Sequence, residues 1–223
     1  MGTTFHLGAG TPNPNRIFCV GKNYREHIRE LNDGVPDQPV IFMKPASCLV
    51  GEGELIRLPR HGSCLHHEVE IAVLIGKKGE NIAENQAGSL IAGVTLGLDL
   101  TLRDVQSDLK KRGLPWELSK AFDQSAPIGT ILPASSPSIL QNLSFQCLVN
   151  GQIRQRGNTN DMIYPIPHII HFLSGIWELQ PGDLIFTGTP SGVGPLRSGD
   201  QITIESGKIG KFSWKIAAHA QRQ

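Results

Sequence analysis

Two glutamates separated by a single residue stand inside the apolar run LHHEVEIAVLIG at 65–76. Alternate side chains of a β-strand share a face, so the carboxylates of Glu68 and Glu70 are expected to lie side by side. If the strand is buried, they repel each other and lose hydration, and a divalent cation would relieve both costs. The alternative is a sheet edge, where both glutamates face solvent or pair with Arg or Lys. This segment alone leaves both interpretations open.

A third carboxylate, Asp99, stands in another apolar run, GVTLGLDLTL at 93–102. An unpaired charge in such a run is costly, although Asp99 or Thr101 could instead cap a helix that begins just after it. Three carboxylates together favour a metal site with Glu68, Glu70 and Asp99 as ligands, because such a site leaves positions open for a chelating substrate. Hard oxygen ligands suit Mg²⁺, Mn²⁺ or Ca²⁺ rather than zinc.

A candidate base lies near the start of the chain, in the segment GKNYREHIRELN at 21–32. If this segment is helical, His27 and Glu30 are three positions apart and face the same side. A carboxylate beside an imidazole fixes its tautomer and raises its basicity, an arrangement that activates water. From the segment alone, an ordinary surface contact between His27 and Glu30 is the more common alternative.

Two lysines flanked by apolar residues are candidate cations: Lys120 follows GLPWELS, and Lys44 stands in IFMKP. Such lysines are often surface groups with buried stems, but either could balance a carboxylate substrate or a developing enolate. The glycine-rich run FTGTPSGVG at 186–194 lacks the Lys-Ser/Thr of a P-loop, which disfavours nucleotide binding. Its backbone N–H groups, with Thr187 or Thr189, could hold a carboxylate instead.

The elements that position these residues are mainly strands. Apolar runs bounded by turn residues predict strands at 16–20, 40–43, 69–75, 91–98, 143–149, 183–187 and 201–205. Helical periodicity predicts helices at 24–31, 102–112 and 166–174. Strands do not alternate regularly with helices, which favours an α+β fold of mixed, curved sheets over a doubly wound one. No shift in composition marks a boundary, so we expect a single domain over 1–223, with 1–15 as a peripheral N-terminal segment.

Composition excludes several classes of function. The formal net charge is +1, and no long basic or acidic run is present, which argues against nucleic-acid and membrane-surface partners. The 4 cysteines are far apart and form no Cys-x-x-Cys pair, which argues against a zinc ribbon or a disulfide framework. The lack of a bilayer-length apolar stretch and of an apolar signal core predicts a cytoplasmic location.

The chain resembles the fumarylacetoacetate hydrolase family in a series of segments, which follow in the order FCVGKNYREHIREL, PVIFMKP, LHHEVEIAVLIGK, AGVTLGLDLTLRDVQ, GLPWELSKAFD, VNGQIRQRGNT and PGDLIFTGTPSGVGPLRSGD. These segments extend from about residue 17 to residue 205. The LRDVQ and KKRGLPWELSKAFD segments and the short chain are most similar to the acylpyruvase and oxaloacetate-decarboxylase branch. Longer fumarylacetoacetases with an extra N-terminal domain are less similar.

The resemblance implies a β-rich roll of mixed sheets, a homodimer, and Mg²⁺ or Mn²⁺ bound by the three carboxylates. It implies that His27 and Glu30 activate water on a lid that orders over the substrate, and that Lys120 stabilises an enolate. It further implies a substrate site lined by Lys44, Arg103, Gln106 and Thr189.

The activity that this resemblance implies is hydrolysis of a C–C bond in small 2,4-dioxo acids, such as acylpyruvates or fumarylpyruvate-like acids, with decarboxylation of oxaloacetate at the same site. The alternatives are a tautomerase of oxaloacetate or a related dioxo acid, and an enzyme that is mainly an oxaloacetate decarboxylase. A non-catalytic, metal-stabilised binding protein is a further alternative from another class. In each case the partner is a small dioxo acid.

Overall fold

The structure is a computed structural model that describes residues 14–134 and 140–217. The predicted peripheral segment at 1–15 lies outside this part of the chain, apart from Pro14 and Asn15. Within the described residues, no helix has both the length and the apolar character needed to cross a membrane.

Strands make up most of the regular structure. They are β1 (Arg16–Gly21), β2 (Val40–Pro45), β3 (Leu49–Val50), β4 (Leu55–Arg57), β5 (Leu65–His67), β6 (Val69–Ile75), β7 (Ile91–Leu98), β8 (Thr101–Leu102), β9 (Ala126–Pro127), β10 (Leu132–Pro133), β11 (Ser144–Val149), β12 (Gln152–Asn158), β13 (Leu184–Phe186), β14 (Gly194–Pro195), β15 (Gln201–Ser206) and β16 (Gly210–Ala217). The α-helices are α1 (Arg25–Glu30), α2 (Arg103–Lys111), α3 (Glu117–Lys120) and α4 (Ile166–Ser174). Short 3₁₀ turns lie at Ala46–Cys48, Glu84–Leu90 and Thr159–Asp161.

The strands form sheets in which parallel and antiparallel pairs are mixed. The largest sheet has 6 strands in the order β10-β7-β6-β13-β1-β2, with β1 and β13 parallel and β6 and β7 antiparallel. A second sheet has 5 strands in the order β12-β11-β15-β16-β4. Smaller sheets join β14, β5 and β8, and β3 with β9. This architecture confirms the predicted α+β class with mixed sheets.

Each predicted strand and helix is present, with ends that agree to within two residues. The sequence prediction missed β12 and β16 among the longer strands, and also the short helix α3. Most residues of β12, QIRQRGN, are polar and Ile153 is its one large apolar residue, so the strand lacks the apolar pattern by which the other strands were found.

The central strand β6 carries one of the predicted metal ligands. All 7 of its residues are buried, because both faces of the largest sheet are covered. Fully burying each Val, Ile or Leu side chain contributes about 1.5–3 kcal/mol to stability. A carboxylate in the same strand loses its hydration, so Glu70 needs a compensating partner.

Strand pairing brings the three carboxylates together. The antiparallel pairing of β6 with β7 places Glu70 opposite Gly97. Just beyond this pairing, the Asp99 N–H donates to the Glu68 carbonyl at 2.8 Å. Glu68 lies in the one-residue break between β5 and β6, where the chain passes from the three-stranded sheet into the six-stranded one.

Candidate active site

Glu68, Glu70 and Asp99 converge in the protein interior. Each offers a carboxylate oxygen, and these oxygens all lie within 4.8 Å of one another. All three residues are buried, which excludes the solvent-facing sheet edge for Glu68 and Glu70. Asp99 does not cap a helix either, because α2 begins after Leu102 with no side-chain cap. The cluster therefore has the donor type and spacing that a hard divalent cation requires.

Two cations are paired with Glu68. Lys120 Nζ donates to Glu68 Oε2 at 2.8 Å and to Asp99 Oδ2 at 2.6 Å, and Arg103 donates to the other oxygen of Glu68. Burial alone would raise the pKa of Glu68, but Lys120 and Arg103 outweigh it and hold the pKa well below its usual range. Burial would likewise lower the pKa of Lys120, yet Asp99 and Glu68 raise it. Lys120 is therefore a cation at neutral pH and is unsuited to act as a base.

Glu70 is less well compensated than Glu68. Its one hydrogen bond among the described residues comes from the Gly188 N–H, which donates to Oε2 at 2.7 Å. Burial and the neighbouring Asp99 and Glu68 raise the pKa of Glu70 well above its usual value. Gly188 has φ +101, and a Cβ there would lie 2.6 Å from that of Asn23, so this close approach requires glycine. The cluster thus lacks positive charge at Glu70, which a bound cation would supply.

Lys44 lies behind Asp99 and does not line the cavity that contains the three carboxylates. The side chain is fully buried, and Nζ donates to the carbonyl oxygens of Leu100, Lys120 and Ser125. These bonds use all three ammonium protons. Nζ is 2.9 Å from Asp99 Oδ1, but that oxygen has no hydrogen bond among the described residues. An orphaned, buried carboxylate oxygen is costly, and a metal ion would satisfy it. The role expected of Lys44 in lining the substrate site does not fit this position.

His27 and Glu30 form the expected pair on α1. His27 Nδ1 is 3.1 Å from Glu30 Oε2, and His27 is only 5% exposed, unlike a surface contact. The other Glu30 oxygen accepts the Gly192 N–H at 3.0 Å. Gly192 has φ +95, and a Cβ at this residue would lie 2.1 Å from the Arg154 carbonyl oxygen. Glu30 is therefore held by a backbone amide that only glycine can place there, and it orients His27 in turn.

A small cavity of about 30 Å³ brings the predicted groups together. Its lining includes His27, Glu68, Glu70, Asp99, Arg103, Gln106, Lys120 and Thr189. Two predicted residues are not in the lining: Lys44, which lies behind Asp99, and Glu30, which contacts His27 from outside.

The cavity mouth contains charged residues that the sequence prediction missed. Lys110 Nζ donates to both oxygens of Asp33 at 2.8 and 2.7 Å, and Lys22 Nζ is 3.5 Å from the same carboxylate. Lys110 and Asp33 are 77 residues apart, so no local pattern could have paired them. This contact ties α2 to the segment that follows α1, and α1 carries His27.

The predicted substrate-binding residues Arg103, Gln106 and Thr189 differ in how many of their hydrogen-bonding groups already have a partner in the protein. Gln106 Oε1 accepts from Arg103 at 2.6 Å. Arg103 Nε is buried and has no acceptor among the described residues. The hydroxyl of Thr189 donates to the Val69 carbonyl at 2.9 Å and accepts from Gln155, a residue that the sequence prediction missed, at 2.8 Å. Arg103 therefore has a donor to spare for a ligand, whereas the Thr189 hydroxyl does not.

Comparison with known proteins gives consistent similarities. Residues 16–217 match the family described as Fumarylacetoacetate (FAA) hydrolase C-terminal. The chain is 44% identical over 191 residues to an oxaloacetate tautomerase of Escherichia coli, which covers 85% of this chain and 87% of that protein. It is 45% identical over 188 residues to a mitochondrial oxaloacetate decarboxylase of Dictyostelium discoideum, covering 84% and 86%. The fold is similar to that of a fumarylpyruvate hydrolase from Pseudomonas aeruginosa in complex with Mn²⁺ and pyruvate, with a TM-score of 0.92, 36% identity and coverage of 97% and 95%.

Proposed function

The chain belongs to the fumarylacetoacetate hydrolase family, and on that premise we propose that it is a divalent-metal-dependent enzyme that interconverts the keto and enol forms of oxaloacetate. The observation that carries this proposal is the juxtaposition, in one cavity, of a buried His27 oriented by Glu30, the Lys120 ammonium and the three carboxylates. The similarity to the tautomerase of Escherichia coli points to the same reaction.

Glu68, Glu70 and Asp99 would hold Mg²⁺ or Mn²⁺. The orphaned Oδ1 of Asp99 and the raised pKa of Glu70 both support a cation at this position. When bound, such a cation supplies Lewis-acid polarisation of the substrate 2-oxo group.

Arg103 and Gln106 are placed to bind the substrate carboxylate. The guanidinium of Arg103 is fixed by Glu68 and Gln106, which leaves its buried Nε–H as a donor without an acceptor. A buried donor in this state is costly, and a substrate carboxylate would accept from it. A second donor from this guanidinium would fix the acid in one plane.

His27 and Lys120 share the proton chemistry. His27, with Nδ1 held by Glu30, takes a proton from C3 of the keto acid through Nε2. The electron pair of that C–H bond forms the C2–C3 double bond, and charge moves to the C2 oxygen. Lys120 remains an ammonium and stabilises this developing enolate. The proton that His27 took from C3 is then delivered from Nε2 to the C2 oxygen, which completes the enol and returns His27 to its starting state. The reverse sequence returns the keto form.

Hydrolysis of acylpyruvates is a second candidate, favoured by the support that Glu30 receives from the Gly192 amide. In this reaction His27 deprotonates a water molecule, which attacks the 4-carbonyl. The C3–C4 bond breaks, and the products are a carboxylic acid and the enolate of pyruvate, which is then protonated. The likeness to the fumarylpyruvate hydrolase structure supports this candidate. Decarboxylation of oxaloacetate needs the same electron sink but no base.

The proposal can be tested by NMR that identifies the products. The protein is incubated with Mg²⁺ and either oxaloacetate or acetylpyruvate, and EDTA serves as the control. We expect rapid keto–enol exchange of oxaloacetate that is lost with EDTA, Glu70→Ala or His27→Ala. The matched control is His168→Ala, which removes an exposed His–Glu pair of similar geometry, 2.7 Å from Glu84 Oε1. Pyruvate and acetate from acetylpyruvate would establish the hydrolase instead. Loss of CO₂ that persists in His27→Ala would indicate a decarboxylase, and full exchange in His27→Ala would refute the role of His27.

A further inference from the structure

Gln155 is a buried amide in the otherwise polar strand β12. It is 1% exposed, whereas Ile153 and Arg154, which precede it, are exposed. The pairing of β12 with β11 shifts at this point: Cys147 pairs with Gln155, but Leu148 pairs with Ile153, so Arg154 is an extra residue. Such a bulge locally reorients the strand, and here it directs Gln155 into the protein.

Backbone partners fix the orientation of this amide. Gln155 Oε1 accepts the Val69 N–H at 3.1 Å, and Nε2 donates to the Pro190 carbonyl at 2.9 Å. A backbone N–H can only donate and a carbonyl can only accept, so the positions of Oε1 and Nε2 are unambiguous. The second Nε2 hydrogen goes to Thr189 Oγ1 at 2.8 Å, and His67 Nδ1 lies 2.9 Å from Oε1. All four hydrogen-bonding positions of the amide are used.

This orientation decides what Thr189 can offer to a ligand. Its Oγ1 accepts from Gln155, and its single hydroxyl hydrogen donates to the Val69 carbonyl at 2.9 Å. The hydroxyl has no hydrogen left for an oxygen atom of a ligand. The Thr189 backbone N–H, by contrast, has no acceptor among the described residues, and Thr189 lines the cavity.

We propose that Gln155 is a positioning residue of the active site and that Thr189 binds the substrate through its backbone N–H, with its hydroxyl committed to Val69. Val69 lies between the ligands Glu68 and Glu70, so one side chain fixes both the ligand-bearing strand and the loop that carries Thr189. Substrate binding by the Thr189 N–H rests on the proposed function. The positioning of the carboxylates by Gln155 does not rest on it, because it concerns only the shape of the cation site.

The primary test compares Gln155→Met with Gln146→Met. Gln146 is on the neighbouring strand β11 and donates to Glu205, away from the cavity, so its substitution controls for loss of a glutamine. Mn²⁺ affinity is measured by calorimetry without substrate, and KM and kcat are measured with oxaloacetate. Loss of buried hydrogen bonds should weaken Mn²⁺ binding and raise KM by about tenfold each in Gln155→Met, with kcat changed less. Gln146→Met should match the wild type.

Thr189→Val and Thr189→Ser separate the two roles of the threonine. Thr189→Val breaks the contact with Val69 and should weaken Mn²⁺ binding as Gln155→Met does, whereas Thr189→Ser should restore it. The double variant Gln155→Met/Thr189→Val should bind Mn²⁺ no more weakly than whichever single variant binds it less tightly, because both substitutions act through one hydrogen-bond network. Normal Mn²⁺ affinity in Thr189→Val together with a raised KM would overturn the proposal, since the hydroxyl would then contact the substrate directly.

Three further outcomes are covered by the same design. If Gln155→Met does not fold, the Mn²⁺ affinities of Thr189→Val and Thr189→Ser decide, because both retain Gln155. If the wild type binds Mn²⁺ but turns over no oxo acid, the proposed function fails while the Mn²⁺ affinities still test Gln155. Additive losses in the double variant would also refute the shared network.

Discussion

Substituting alanine for Gly192, which does not itself line the cavity, should perturb the proposed base. Gly192 has φ +95, and its N–H donates to Glu30 Oε1 at 3.0 Å. An alanine Cβ would lie 2.1 Å from the carbonyl oxygen of Arg154 and 3.2 Å from its carbon. The loop must therefore move by roughly 1 Å to reach van der Waals contact. Because a hydrogen bond weakens steeply over such a displacement, Gly192→Ala should release Glu30.

The size of the effect follows from the exposure of this contact. A hydrogen bond to a charged group contributes about 1.5–3 kcal/mol, but Glu30 is part-exposed, so the lower end applies. About 1.4 kcal/mol corresponds to a tenfold change in rate, and we expect Gly192→Ala to lower kcat about tenfold. Placing alanine at a positive φ also costs about 1 kcal/mol of stability, or roughly 2–4 °C in Tm for a chain of this size.

Gly199→Ala is the matched control. Gly199 has φ +91, but no atom lies within 4 Å of the place that an alanine Cβ would take, so it has the same backbone cost without the clash. The assay is kcat for exchange of oxaloacetate, with Tm measured on the same samples. Both variants should lose a few degrees in Tm, and only Gly192→Ala should lose kcat. Wild-type kcat in Gly192→Ala, or equal losses of kcat in both, would refute the argument that this amide positions Glu30.

Three further predictions concern the carboxylate cluster, the cysteines and Lys44. Mn²⁺ at 100 times its Kd should stabilise the wild type by about 2.7 kcal/mol, raising Tm by roughly 5–10 °C, and Asp99→Asn should abolish this rise in a thermal melt. A thiol reagent at pH 8 should label Cys64 but not Cys147, as measured by mass spectrometry. Burial raises the pKa of the Cys147 thiol to about 12, so only a very small fraction of it is the reactive thiolate at pH 8. Lys44→Met should lower the free energy of unfolding by about 3–5 kcal/mol in a urea titration, since it removes one of the two ammonium groups beside the buried carboxylate of Asp99 and leaves buried carbonyl oxygens without their donor; a loss below about 1 kcal/mol would contradict this.

The positions of the carboxylates could be predicted because their neighbours are informative. A glutamate inside VEIAVLI has to be buried if the strand is, and the strand is buried throughout. Glu68 shows the limit of this argument, because it lies in a break between two strands and not in the continuous strand expected. Its carboxylate still joins the cluster, because the Asp99 N–H bonds its carbonyl and Lys120 bridges the two side chains.

The contacts that were missed link residues distant in sequence through side-chain or backbone groups. Gln155 and Val69 are 86 residues apart, and the bulge that buries Gln155 leaves no trace in the polar pattern of β12. Lys44 was a candidate cation for a substrate carboxylate or an enolate, but its hydrogen-bond acceptors are backbone carbonyl oxygens. A carbonyl is present at every position of a chain, so residue types cannot reveal which ones converge on an ammonium.

The backbone amides of the glycine-rich loop at 187–194 were expected to bind a carboxylate, but not one that belongs to the protein. The Gly188 N–H donates to the Glu70 carboxylate, and the Gly192 N–H donates to the Glu30 carboxylate. One loop therefore positions both a proposed metal ligand and the residue that would orient the proposed base. Gln155 anchors this loop between the two amides, through Thr189 and Pro190. A displacement of the loop should consequently change cation affinity and proton transfer together, whereas a change confined to α1 should affect proton transfer alone.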